Sequence, residues 1–158
     1  MKNDYDFVST TNMLVVKDGK GLFIRRSEKL ENFPGWLMLP GGKHEVNETP
    51  QQAAIREAWE ETGIKVVNPV LKVVATHNHF YRNRVYLVFI FQSTEFSGDL
   101  KESDEGTPIW IPLDEVLKDP KLYPDLKRHI RLVLETKDDQ VLFTYHKFNK
   151  DLEIIEEA

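Results

Sequence analysis

Gly41 to Ile64 reads GGKHEVNETPQQAAIREAWEETGI: a glycine pair, a capped helix and a crowd of carboxylates. Thr49, Pro50 and Gln52 form a helix start, with a hydroxyl cap, proline at the first helical position and an amide three residues after the cap. Gly63 supplies a left-handed stop. At about 100° per residue, Ile55, Ala58, Trp59 and Thr62 fall on one side, and Glu57, Glu60 and Glu61 occupy an arc of about 100° roughly opposite. The spacing therefore predicts one packed face and one acidic face. Like charges three and four positions apart destabilise a helix by about 0.2–0.5 kcal/mol a pair, and Arg56 is the one adjacent cation. A divalent ion would offset that repulsion. Carboxylate oxygens suit Mg²⁺, Ca²⁺ and Mn²⁺, and Mg²⁺ commonly bridges a few carboxylates to substrate phosphates. Taken alone, the helix reads first as an ordinary solvated charged face.

The spacing around the helix separates these readings. Gly42, five residues, Glu48, seven residues, and then Arg56-Glu57-Ala58-Trp59-Glu60-Glu61-Thr62-Gly63-Ile64 resembles the complete signature of the Nudix hydrolase family, G-x5-E-x7-R-E-U-x-E-E-x-G-U with U apolar. All seven fixed letters are present, and they run from a loop into a helix, the context such a motif requires. Ala58 is small for the first U position, and Asn47 stands where many relatives have glycine.

The resemblance implies roles position by position. Glu57, Glu60 and Glu61 would be metal ligands, with the Gly42 carbonyl as a further one. Glu48 and Arg56 would form a supporting ion pair, because a ligand that swings freely binds metal poorly. Glu45 is a further loop carboxylate, read equally as an exposed acid. The implied cofactor is Mg²⁺, with Mn²⁺ as a substitute. The implied fold is an α/β/α sandwich around a mixed β-sheet.

The chain has 158 residues, which suits one domain, 1–158, with a substantial core. Its net charge of −5 argues against binding polymeric nucleic acid, which calls for a basic surface. An acidic protein that handles polyphosphates must import positive charge, and a divalent ion does so. No cysteine is present, which excludes disulfides and thiolate chemistry and is compatible with a reducing cytoplasm. The start, MKNDYDFVSTTN, lacks an apolar signal core, and no run is long enough to span a bilayer. The expectation is a soluble cytoplasmic protein, monomer or homodimer, with no membrane partner.

Read in order, residues 7–16 and 21–26 form a hairpin around Asp18-Gly19, and 27–35 a polar loop. Trp36 to Leu39 is a short strand before the glycine pair, and the return strand ends in Arg25-Arg26. Strands follow at 64–67, 70–76 and 85–94, then an acidic loop over 97–107. A strand at 108–112, a helix start at 113–117 and a long helix over 124–136 complete the middle of the chain. Two strands, 141–148 and 152–155, end it.

Within this layout the resemblance points to Arg26, Lys43, Tyr81 and Trp110 as substrate contacts. It points to Glu105, ahead of Trp110, as a further catalytic glutamate and a candidate general base beside the helix carboxylates. His77 and His79 form a His-x-His pair, but with no third nitrogen or sulfur ligand nearby in sequence the pair is discounted as a metal site. GWLMLPGGK, FSGDL, DEGTPIW and PLDEVL resemble the MutT-like branch that cleaves nucleoside triphosphates, including 8-oxo-dGTP diphosphatases. The expected reaction is hydrolysis of a nucleoside triphosphate to monophosphate and pyrophosphate. The alternatives are a dinucleoside polyphosphate hydrolase, for which Tyr81 speaks, and a non-catalytic nucleotide sensor.

Overall fold

In the computed structural model, which describes residues 4–158, the chain runs β1 (Asp6–Lys17), β2 (Lys20–Arg26), β3 (Leu37–Met38), β4 (Gly41–Lys43), α1 (Pro50–Thr62), β5 (Lys65–Val67), β6 (Val70–His79), a 3-10 turn (Phe80–Arg82), β7 (Arg84–Ser93), β8 (Glu95–Ser97), β9 (Gly106–Pro112), α2 (Leu113–Val116), α3 (Leu126–Glu135), β10 (Leu142–Phe148) and β11 (Ile154–Glu157). Nine strands make one mixed sheet, ordered β11-β10-β6-β7-β1-β2-β3, with β4 on β1 and β9 on β2; β5 and β8 form a separate ribbon. The β1–β7 and β6–β10 pairs are parallel and the remainder antiparallel.

Side chains alternate across a strand, so β1 feeds both faces of the sheet. Leu14 joins Phe23, Val73, Ile90, Ile130 and Val133 on the α3 side. Met13 and Val15 join Leu22, Ala54, Ala58 and Phe91 on the α1 side. Helices thus cover both faces, giving the expected α/β/α sandwich. The C-terminal strands belong to the same sheet, through the β6–β10 and β10–β11 pairings.

Local signals held at the ends of α1. Thr49 Oγ1 accepts from Gln52 N (3.2 Å) and Gln52 Oε1 accepts from Thr49 N (2.8 Å), a reciprocal cap. Gly63 closes the helix at φ 79°. The facing of α1 differs from the sequence expectation. Ala53, Ala54, Ala58 and Thr62 are its buried residues, while Trp59 is 59% exposed. The buried alanines give α1 a flat stripe against β1 and β4. This turns Glu57 and Glu61 inward beside that stripe, half-buried rather than solvated.

Candidate active site

The site forms where β4 delivers two glycines under α1. Gly41 N–H donates to Glu61 Oε2 at 3.1 Å. A Cβ added at Gly42 would lie 2.5 Å from Glu57 Oε1, so the carboxylate keeps its present position only because no side chain stands there. One at Gly41 would collide with the Thr11 carbonyl oxygen.

Arg56 is the hub of the cluster. Its Nε and Nη2 donate to the two oxygens of Glu48 (3.0 and 2.7 Å), a bidentate fork. Nη1 donates to Glu57 (2.9 Å) and Glu60 (3.2 Å), Nη2 reaches the Lys43 carbonyl (3.2 Å), and Glu45 stands 3.8 Å from Nη1. Hydrogen bonding to Arg56 lowers the Glu48 pKa to about 2, and the same contact holds Arg56 firmly protonated. Glu57 shifts up because burial penalises its charge. Glu61 is pushed up to about 8, chiefly by burial and further by the Glu57 and Glu105 carboxylates, against the Gly41 N–H and Arg26.

The three helix glutamates do not converge on a single point. Glu57 and Glu60 turn to Arg56, and Glu61 turns to Gly41. They nonetheless suit a hard divalent cation: the donors are all oxygens, the Gly42 backbone abuts one of them, and Glu61 is a half-buried carboxyl whose charge its surroundings penalise, a cost that a cation would offset.

Arg26 and Glu105 come together across the same opening, Arg26 Nη1 donating to Glu105 Oε2 at 3.4 Å. Both line a cavity of about 290 Å³ with Gly41, Gly42 and Glu61. The same wall also includes Phe33, Tyr86, Tyr123, His79, Arg82 and Asp125. Most of these were missed in the sequence, since Phe33, Tyr123 and Asp125 sit in loops far apart in the chain. Asp125 occupies the N-cap position of α3 yet makes no side-chain capping bond, which only the structure reveals.

Three expected substrate contacts lie off the cavity wall. Trp110 packs on Phe96 (ring centroids 5.4 Å apart) at the edge of the α1-side core. The Tyr81 hydroxyl pairs with His79 Nδ1 (3.1 Å). Lys43 contributes its backbone carbonyl to Arg56 and is exposed. The structure does not complete the discounted His77–His79 pair, but it brings other nitrogens to His77 alone: its ring stacks on His129 of α3, with ring nitrogens 3.2 Å apart, and is tilted against His146 of β10 at 5.4 Å between centroids.

With this geometry in hand, comparison with known proteins places the chain. A family model described as NUDIX domain matches residues 7–133. The chain belongs to this family. It is 32% identical over 112 residues to "Uncharacterized Nudix hydrolase YvcI" of Bacillus subtilis (strain 168), covering 67% of this chain and 66% of that relative. The crystal structure titled for the "mMutator MutT protein" of Bacillus halodurans matches with a TM-score of 0.82 and 32% identity, over 96% of each chain. Other relatives carry the names of different nucleotides. They are the CTP pyrophosphohydrolase of Escherichia coli (strain K12), 28% identical over 72% of this chain and 82% of its own, and the 8-oxo-dGTP diphosphatase of Proteus vulgaris, 36% over 51% and 70%. The ADP-ribose pyrophosphatase of Methanocaldococcus jannaschii is 37% identical over 59% of this chain and 54% of its own. Among the described residues, no helix is long and apolar enough to cross a membrane.

Proposed function

We propose that this chain, as one domain over 1–158, hydrolyses a nucleoside diphosphate linked to a further group, with a nucleoside triphosphate as the favoured substrate and the monophosphate and pyrophosphate as products. Its first three residues lie outside the described range. The observation that carries this reading is the mixed lining of the cavity. Arg26, Glu61, Glu105 and the Gly41–Gly42 backbone share its wall with Phe33, Tyr86 and Tyr123. A phosphoanhydride fits the first set and a base the second, where aromatic stacking is worth about 1–3 kcal/mol per base.

In this reading Glu57, Glu60, Glu61 and the Gly42 carbonyl hold Mg²⁺ or Mn²⁺, which would supply charge neutralisation at the phosphate oxygens and a more acidic attacking water. Glu48 and Arg56 set the angle of the ligand carboxylates. Arg26 binds phosphate oxygens from the opposite wall. Glu105, beside Arg26 and half exposed, accepts the proton of the attacking water. A cytoplasmic setting, where nucleotides and Mg²⁺ occur together, suits this chemistry.

The substrate is the open choice, since the relatives' names span CTP, 8-oxo-dGTP and ADP-ribose. Product identification across ordinary and oxidised (d)NTPs, dinucleoside polyphosphates and ADP-ribose is expected to return pyrophosphate from a triphosphate as the leading activity. Cleavage of none of them with Mg²⁺ or Mn²⁺ would leave only the sensor reading. Tyr81, the one residue favouring dinucleoside polyphosphates, is engaged with His79 rather than the cavity.

Two further results are expected. Gly42→Ala should leave the melting temperature nearly unchanged, because its methyl meets only the movable end of Glu57. It should lower kcat/KM by about tenfold to a hundredfold, since displacing a ligand by an ångström misaligns the reacting groups. Steady-state kinetics beside a thermal melt would show the split.

The second result concerns pH. Glu61 has its folded pKa near 8, above the usual carboxylate value of 4.5. Without metal, the native state therefore holds a proton that the unfolded chain releases, and this contribution to stability is lost as pH rises toward 8. Mg²⁺ must displace that proton, so the rise in melting temperature on adding Mg²⁺ should grow from pH 5 to about 8. The growth should be smaller in Glu61→Gln, leaving the share of Glu57, whose carboxyl is also shifted up by burial. Taking the difference with and without Mg²⁺ cancels the opposing contributions of Asp125 and the buried histidines.

A further inference from the structure

β6 and β10 run parallel with His77 paired to His146, and α3 stacks His129 against both rings. All three are buried, His129 and His146 completely. One ring nitrogen from each lies within 4.8 Å of the other two, the single such grouping of metal-ligating atoms among the described residues. His77 Nε2 and His129 Nε2 are 3.2 Å apart. Two imidazoles on a tetrahedral ion, at about 2.0–2.1 Å each, have nitrogens about 3.3 Å apart.

A buried carboxyl stands beside these rings. Asp125 Oδ2 lies 3.4 Å from His77 Nδ1 and 3.9 Å from His129 Nδ1, near both rings without a hydrogen bond to His129, and the Nε2 edges of the two rings meet. A carboxyl in that position is within a small shift of the contact that fixes tautomer and angle in metal-binding histidines. The arrangement leaves donors unused: Asp125 Oδ1, His129 Nδ1 and His146 Nδ1 are three of the seven buried side-chain polar atoms without a partner among the described residues. A histidine cluster serving only as core would be expected to satisfy such atoms.

We propose that His77, His129 and His146, with Asp125 beside them, form a second metal site, selective for a first-row transition ion such as Zn²⁺ and separate from the carboxylates of α1. Imidazole donors favour Zn²⁺, Co²⁺, Ni²⁺ and Cu²⁺, whereas the all-oxygen set on α1 favours Mg²⁺ and Mn²⁺. Burial keeps the three imidazoles neutral, the form that binds metal. His77 and Asp125 line the cavity, which gives an ion a way in. The bound ion would tie α3 to β6 and β10 and stiffen the cavity floor. Arg128 opposes it, because its Nε donates to His146 Nε2 at 3.0 Å and sets a fixed positive charge beside the site. Arg128 also pairs with Glu157 at 3.2 Å and is partly exposed, so it can withdraw.

The test is titration of the full-length protein with Zn²⁺ and Co²⁺ in excess Mg²⁺, repeated in Glu57→Gln/Glu60→Gln. One equivalent should bind in both proteins and raise the melting temperature, and Co²⁺ should give the intense visible bands of a four- or five-coordinate ion. His129→Asn should weaken binding at least tenfold. Because that buried change could disturb folding, Arg128→Gln supplies the opposite sign: removing the guanidinium should tighten binding several-fold, which misfolding does not do. Absence of uptake in excess Mg²⁺ would overturn the proposal. So would uptake lost with Glu57→Gln/Glu60→Gln but kept in His129→Asn, or an Arg128→Gln protein that binds no tighter than the wild type.

Discussion

Glu61→Gln is expected to lower kcat by about a thousandfold or more at saturating Mg²⁺ while leaving the melting temperature of the metal-free protein unchanged or higher. The two halves have one origin. The Glu61 carboxyl is held inside the site between the Gly41 N–H, Arg26, Glu57 and Glu105, in surroundings that penalise its charge. Glutamine keeps the volume and an oxygen for the Gly41 N–H, so local packing survives, and the cost of the buried charge disappears. The anionic oxygen that a divalent ion would require is lost. Kinetics with Mg²⁺ and Mn²⁺ beside thermal melts would test this; wild-type turnover in the variant would remove Glu61 from the reaction.

Arg56→Ala should have the next largest effect. Its guanidinium holds Glu48, Glu57 and Glu60 and the Lys43 carbonyl at once. Without it the carboxylates repel one another and lose their fixed angles, so Mg²⁺ affinity should fall by about tenfold to a hundredfold. Stability should drop by about 1–2 kcal/mol, less than for a fully buried pair because the guanidinium edge meets water. Glu48 gives this a pH signature. Its folded pKa of about 2 lies below the usual value, so the stability it adds is present above about pH 4.5 and is lost as pH falls toward 2. That acid limb should vanish in Arg56→Ala. Arg56→Lys should restore charge but not the two-pronged bond to Glu48, recovering only part of the affinity. Isothermal titration with Mg²⁺ and acid melts would check both, and an Arg56→Ala protein with wild-type metal affinity would reject the hub.

Residues close in sequence carried most of what could be read in advance. The cap of α1, its glycine stop, the hairpin at Asp18-Gly19 and the spacing from Gly42 to Ile64 depend on neighbours within a turn or a loop, where side-chain chemistry acts directly on the backbone. Arg26 and Glu105 were also singled out, and the pairing of Arg26 with Gly106 at the start of β9 sets Glu105 beside Arg26. The C-terminal strand pair was expected, although its second strand lies two residues later than the sequence indicated.

The facing of α1 was not legible, because a helical wheel weights Trp59 by its apolar area. The sheet instead receives the alanine stripe, which allows close approach, and leaves the indole outside. Trp110 likewise went to the core edge beside Phe96. The histidine cluster was beyond sequence reasoning for a plainer reason. His77, His129 and His146 are 52 and 17 residues apart in turn, and only a parallel strand pairing with a helix packed over it puts them in contact. Sequence by itself determined the capped helix, its acidic residues and the family they mark, since these follow from short-range spacing. Tertiary structure decided which carboxylates turn inward and which distant rings share one buried space, since both depend on how layers of the sheet and helices close on one another.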